Sequence, residues 1–117
     1  MTVQEATFYL PLILERLKKI NPAKIILFGS QAQGTATADS DLDLLVVTND
    51  DSLPQDYREK EKIYLNVARL LRDIKGDVSI DLIVHTRPMH DRFIEMNSLF
   101  ARELQQTGTI LYESHNA

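Results

Sequence analysis

Two apolar segments, and the short stretch between them, restrict the fold of this chain more than any other feature. Lys24-Ile25-Ile26-Leu27-Phe28 is a β-rich run halted by Gly29, and Asp41 to Thr48 opens in alternation and closes on Leu44-Leu45-Val46-Val47. Both are too short and too rich in β-branched residues to be helices, and both read as buried strands. Eleven residues, 30–40, lie between them. A parallel crossover needs about a dozen or more, so an antiparallel pair is expected. A third strand is predicted at Val78 to Val84, where Val78, Ile80, Leu82 and Val84 alternate with Ser79, Asp81 and Ile83. The roughly thirty residues before it suit a right-handed parallel crossover. The sheet is therefore expected to be mixed.

Helical periodicity fills the remaining segments. Leu10, Ile13, Leu14, Leu17 and Ile20 mark a first amphipathic helix that ends at Asn21-Pro22. Residues 49–54 read as a turn and helix start, and Ile63, Val67, Leu70, Leu71 and Ile74 as a long helix with Gly76 as its C-cap. Met89, Phe93, Met96, Phe100 and Leu104 predict one last helix ending before Gly108, with Thr109 to Tyr112 as a short edge strand. The fold class is thus α/β (α+β), a small mixed sheet with helices packed on it. The length, 117 residues, and the lack of repeats or a Pro/Gly/Ser-rich linker predict a single domain over 1–117.

Composition narrows the function. Hydrophobic residues are 44% and charged residues 26% of the chain, the mixture of a soluble globule. A net charge of -4 leaves no basic surplus for tracking phosphates, so direct nucleic-acid binding is not expected. There is no cysteine, which excludes disulfides, thiolate metal sites and Cys nucleophiles and restricts any metal to oxygen or imidazole ligands. Apolar runs fall far short of the roughly 20 residues that span a bilayer, and the N-terminus lacks the blocks of a signal peptide. A cytoplasmic protein without a membrane segment is expected.

The chemistry is concentrated in three acids and one turn. Asp41 and Asp43 are two residues apart on a strand, so their carboxylates share a face while Leu42 and Leu44 point to the core. Such repulsion is usually relieved by a hard divalent cation with oxygen ligands, Mg²⁺ foremost. Asp81 is an acid inside an apolar run and needs a metal, a partner or an edge position. The predicted pairings bring the end of strand one, at Gly29-Ser30, beside Asp41 and Asp43, with Asp81 at the same edge. Converging carboxylates match two-metal phosphoryl or nucleotidyl transfer. Gly29 after a strand lets backbone approach a phosphate, and Ser30 adds a hydroxyl.

Other motifs fail on physical grounds. Residues 29–34 have Walker A glycine spacing, but Thr35-Ala36 replaces the Lys-Ser/Thr pair that holds phosphate and magnesium. Asp39, Asp41 and Asp43 imitate an EF-hand start, yet Leu44 stands at the glycine turn. In an aspartyl-phosphate phosphatase the acid pair follows its strand, whereas here the strand follows the pair. His85, His90 and His115 show no ligand spacing, and the Met and Phe residues of the last helix read as packing or a partner-facing stripe.

Gly29-Ser30, ten residues, then Asp41-Leu42-Asp43, with Asp81 on a later strand, resembles the nucleotidyltransferase superfamily related to DNA polymerase beta. The stretch from Phe28 to Val46 is similar in particular to the minimal, MNT-type members, and Leu111-Tyr112-Glu113 is similar to their closing strand. The resemblance implies that Asp41, Asp43 and Asp81 are catalytic and bind two Mg²⁺ ions, and that Gly29 and Ser30 hold the phosphates of ATP. It implies transfer of AMP to a hydroxyl, a tyrosine of a HEPN-domain toxin, with this chain as antitoxin. Gln31 stands where many relatives carry arginine. Transfer to a small hydroxylated molecule such as an aminoglycoside, and a non-catalytic subunit that inhibits by binding, are the alternatives.

Overall fold

The computed structural model describes residues 3–36, 41–74 and 78–114. The predicted C-cap at Gly76, and His115, lie outside them. Two helices open the chain, α1 (Val3–Phe8) and α2 (Leu10–Leu17), and a 3₁₀ turn, Lys18–Ile20, extends the second. Pro11 in the first turn of α2 suits a position whose N–H has no helical partner. Asn21 closes the segment in the left-handed region, at φ 50°, where a short polar side chain is tolerated. The chain then runs through β1 (Lys24–Phe28), α3 (Gly29–Gln33), β2 (Leu42–Val47), α4 (Tyr57–Ala68), a 3₁₀ turn at Arg69–Leu71, and β3 (Ile80–His85). It finishes with α5 (Arg87–Glu95), α6 (Leu99–Thr107) and β4 (Thr109–Glu113).

The four strands form one sheet in the order β3-β2-β1-β4. As the connection lengths require, β1 pairs antiparallel with β2, and β2 pairs parallel with β3. β4 is an edge strand antiparallel to β1, with a register shift between Ile25 and Ile26. Helices cover both faces. On one, Ile13, Leu17, Val67 and Leu71 pack against Ile25, Leu42, Leu44 and Val84 in the larger core cluster. On the other, Leu104 and Phe93 pack against Ile26, Leu45 and Val47 in a smaller one. Arg16 ties the first layer together, donating to both carboxylate oxygens of Asp73 at 2.7 and 2.9 Å and to the Leu70 carbonyl at 3.0 Å.

Local chemistry explains where the elements start and where the sequence reading fails. Asp56 caps α4, accepting from the Glu59 N–H at 2.9 Å. The single last helix expected from Met89 to Leu104 is in fact two. Asn97 takes φ 50° and Ser98 caps α6, accepting from the Ala101 N–H at 3.1 Å, so cap chemistry overrides an unbroken apolar periodicity. Helix α1 carried no apolar signal of its own, and β3 begins two residues later than alternation suggested.

At the C-terminal end of β3, His85 and His90 face each other with their Nδ1 atoms 3.0 Å apart. One nitrogen donates and the other accepts, so the accepting ring at least is neutral. Burial, then His90 and Lys60, push His85 down to about 4. Burial and Lys24 lower His90, against the opposing pull of Asp91. The unfolded chain therefore takes up protons first on acidification, and this contribution to stability is complete above about 6.5 and disappears as the pH falls toward about 4. Urea unfolding between neutral pH and about 4.5 is expected to show that decline, and His85→Phe, which keeps a ring beside Phe93, is expected to flatten it.

Candidate functional site

The sheet register brings the sequence-predicted acids together. Phe28, the last residue of β1, is the cross-strand partner of Asp43, and Asp43 is in turn the neighbour of Asp81 on β3. Registered neighbours share a face, so Phe28, Asp43 and Asp81 project to the side covered by α5 and α6, while Leu42, Leu44 and Leu82 enter the opposite core. Asp41 lies one residue outside β2, exposed, on the same side as Asp43 by the two-residue period.

Asp43 is half-buried and carries the electrostatic signature of the cluster. Its carboxyl is raised above the ordinary range, first by burial, then by the charges of Asp81 and Asp41. Gly29, directly after β1, presses on it. Its φ of +73° is a left-handed value, and a Cβ there would overlap the Asp43 carboxylate, with Asp43 Cγ at 3.1 Å. Only a residue without a side chain lets this turn lie against the acid. Gly29 also begins α3, whose first N–H groups receive no side-chain cap, and Ser30 follows, half-buried. Among the described residues, no three acidic or histidine side chains are gathered into a metal cage. The backbone fixes the shared face and the adjacent registers. An all-carboxylate donor set of like charges, one of them raised by burial and by its neighbours, fits a hard divalent cation such as Mg²⁺.

The chain matches the nucleotidyltransferase domain family over residues 10–104, a span that contains every site residue above. It belongs to that family. The nucleotidyltransferase domain also shares its fold with solved structures. A Sulfolobus solfataricus protein assigned to the nucleotidyltransferases aligns with a TM-score of 0.63 at 18% identity, covering 98% of this chain and 89% of that one. A toxin–antitoxin structure with AMP-PNP aligns with a TM-score of 0.53 at 23% identity, covering 88% and 72%. A mutant of the MntA-HpeT toxin–antitoxin pair aligns with a TM-score of 0.53 at 22% identity, covering 90% and 72%. No curated protein matches by sequence.

Other features of the nucleotidyltransferase domain sit elsewhere. Arg87, which follows the third strand, donates its backbone N–H to Asp50 at 3.0 Å at the end of the sheet opposite the acids. A cavity of about 580 Å³ lies between α5, α6 and the β1–β4 edge and touches none of Asp41, Asp43 and Asp81. Charge and register, not cavity size, locate the site. The sequence did not signal the aromatic wall beside it. Phe28 and Phe100 pack edge-on with centroids 5.4 Å apart, although Phe28 read as a strand residue and Phe100 as part of a continuous helix. The one available hint was the position of Phe28 directly before Gly29. The side-chain nitrogen of Gln31 is buried without a hydrogen-bond partner, so the residue at the arginine position presents an unused donor.

Because the Asp43 carboxyl is raised in the folded state, its stability contribution is fully present below the ordinary carboxylate range and is lost as the pH rises through the folded value. Metal-free Asp43→Asn is therefore expected to gain on the wild type in urea melts as the pH rises from about 4 to 7. Millimolar Mg²⁺ is expected to raise the melting temperature of the wild type and leave that of Asp43→Asn unchanged.

Proposed function

We propose that this domain transfers AMP from ATP to the hydroxyl of a tyrosine on a helical HEPN-type toxin, and so acts as its antitoxin. The placement of Gly29 against Asp43, and of Asp43 beside Asp81, carries this reading. Asp41, Asp43 and Asp81 would hold the divalent cations, two Mg²⁺ ions in the fullest form. Bound Mg²⁺ supplies charge neutralisation at the α-phosphate and at the departing pyrophosphate.

The chain's own residues do the rest. Gly29 lets the turn approach the β- and γ-phosphates, and Ser30 and the uncapped N–H groups of α3 donate to their oxygens. The acceptor oxygen attacks the α-phosphorus, the bond from that phosphorus to the bridging oxygen breaks, and pyrophosphate leaves with the electron pair. Asp81, exposed on the edge strand, receives the hydroxyl proton. Asp43, half-buried between Gly29 and Asp81, fixes the phosphate's position against the turn.

The partner follows from support of a different kind. Two structures that share this fold are toxin–antitoxin assemblies, one crystallised with AMP-PNP and one carrying a tyrosine-to-alanine change. The acceptor surface is supplied by the partner, and Met96 and Leu99, both strongly exposed at the α5–α6 turn, offer it apolar contact. Gln31 favours one second reading. A neutral amide leaves triphosphate charge unbalanced, which suits a subunit that inhibits its toxin by occupancy alone.

Incubation with ATP labelled at the α-phosphate, Mg²⁺ and the adjacently encoded helical protein separates the two. Label on a partner tyrosine is expected, and a stable complex of unaltered mass would instead favour occupancy. Asp41→Asn with Asp43→Asn is expected to reduce label transfer by at least about a thousandfold while the protein stays folded. Unchanged transfer in that double variant would refute the assignment of these acids.

A further inference from the structure

We infer that Phe100 is the platform on which the base of the nucleoside triphosphate stacks, an inference that rests on the transferase reading above. Phe100 is the second residue of α6 and remains 38% exposed, whereas Leu104, one turn on, is 3% exposed in the core. Two other rings hold it in place. Phe28 meets it edge-on at 5.4 Å and Phe93 at 5.6 Å, with interplanar angles of 66° and 69°. Behind Phe93 the packing continues through His90 at 5.8 Å. A ring pinned from two sides and still exposed is ready for a flat ligand without further ordering, which lowers the cost of binding.

The position relative to the acids selects the ligand. Phe28 is the registered partner of Asp43 and packs against Phe100, so a single side chain links the carboxylate to the exposed ring. Gln33 of α3 meets Glu103 of α6 at 3.5 Å, which sets the helix beginning at Gly29 beside the helix carrying Phe100. A triphosphate held at Gly29-Ser30, with its α-phosphate at Asp43, therefore has its nucleoside directed along the aromatic wall. Stacking tolerates any base but favours the larger purine surface, consistent with ATP.

The test compares two ligands that share phosphates and differ in the base. Isothermal titration of the whole chain with Mg·ATP and with Mg·tripolyphosphate is expected to show Phe100→Ala binding ATP about tenfold more weakly, with tripolyphosphate affinity retained. Phe100→Trp is expected to restore ATP binding. Retained tripolyphosphate binding also shows that the variant is folded. Equal losses for both ligands, or no loss for ATP, would overturn the platform and leave the transferase reading standing. A wild type that binds neither ligand would overturn both.

Discussion

The carboxylate of Asp43, held half-buried between Gly29 and Asp81, is the constraint around which this end of the molecule is organised. A sheet gains nothing by bringing like charges into adjacent registers, and the Asp43 carboxyl is raised first by burial and then by the charges of Asp81 and Asp41. The pairings of β1, β2 and β3 nevertheless hold them there, because Leu42, Leu44 and Leu82 on the opposite face bury far more apolar surface than the repulsion costs. A one-residue slip of β2 would turn Leu42 and Leu44 to the opposite face, so the core that stabilises the sheet also fixes the acids. Gly29 completes the arrangement, since only a bare Cα fits against the carboxylate in a left-handed turn.

Much of this was legible in the sequence. Connection lengths alone give the antiparallel and parallel pairings, because an eleven-residue link and a link of about thirty residues admit different crossovers. The same pairings bring Gly29, Asp43 and Asp81 to one sheet end, as the spacing of the motif implied. Less legible were features decided by single residues in three dimensions. The break between α5 and α6 depends on Asn97 in a left-handed conformation and on the Ser98 cap, and an uninterrupted row of Met and Phe residues concealed both. The histidine pair was equally hidden, because a spacing of five residues means little until a strand end and a helix start are placed together. Contact between Phe28 and Phe100 joins residues far apart in the chain, and no local period encodes it.

The two ends of the sheet carry different groups. Acids occupy the end where β2 and β3 begin, while the neutral histidine pair and the Arg87 backbone anchor lie where β3 ends. The end with Asp41, Asp43 and Asp81 has, in Gln31, an uncharged residue with an unused donor. An anionic substrate therefore depends on bound cations to approach, and affinity for a triphosphate should be tightly linked to divalent metal.

The two helical layers are unequal. On the side away from the acids, α2 and the turn after α4 share the larger core cluster and are clasped by Arg16 through Leu70 and Asp73. On the acidic side, α5 and α6 rest on the smaller cluster, and the turn between them exposes Met96 and Leu99. Local opening follows the weaker packing. By that rule the α5–α6 layer is the part of the fold with the least buried apolar surface to hold it, and the sheet with its α2 layer the part with the most.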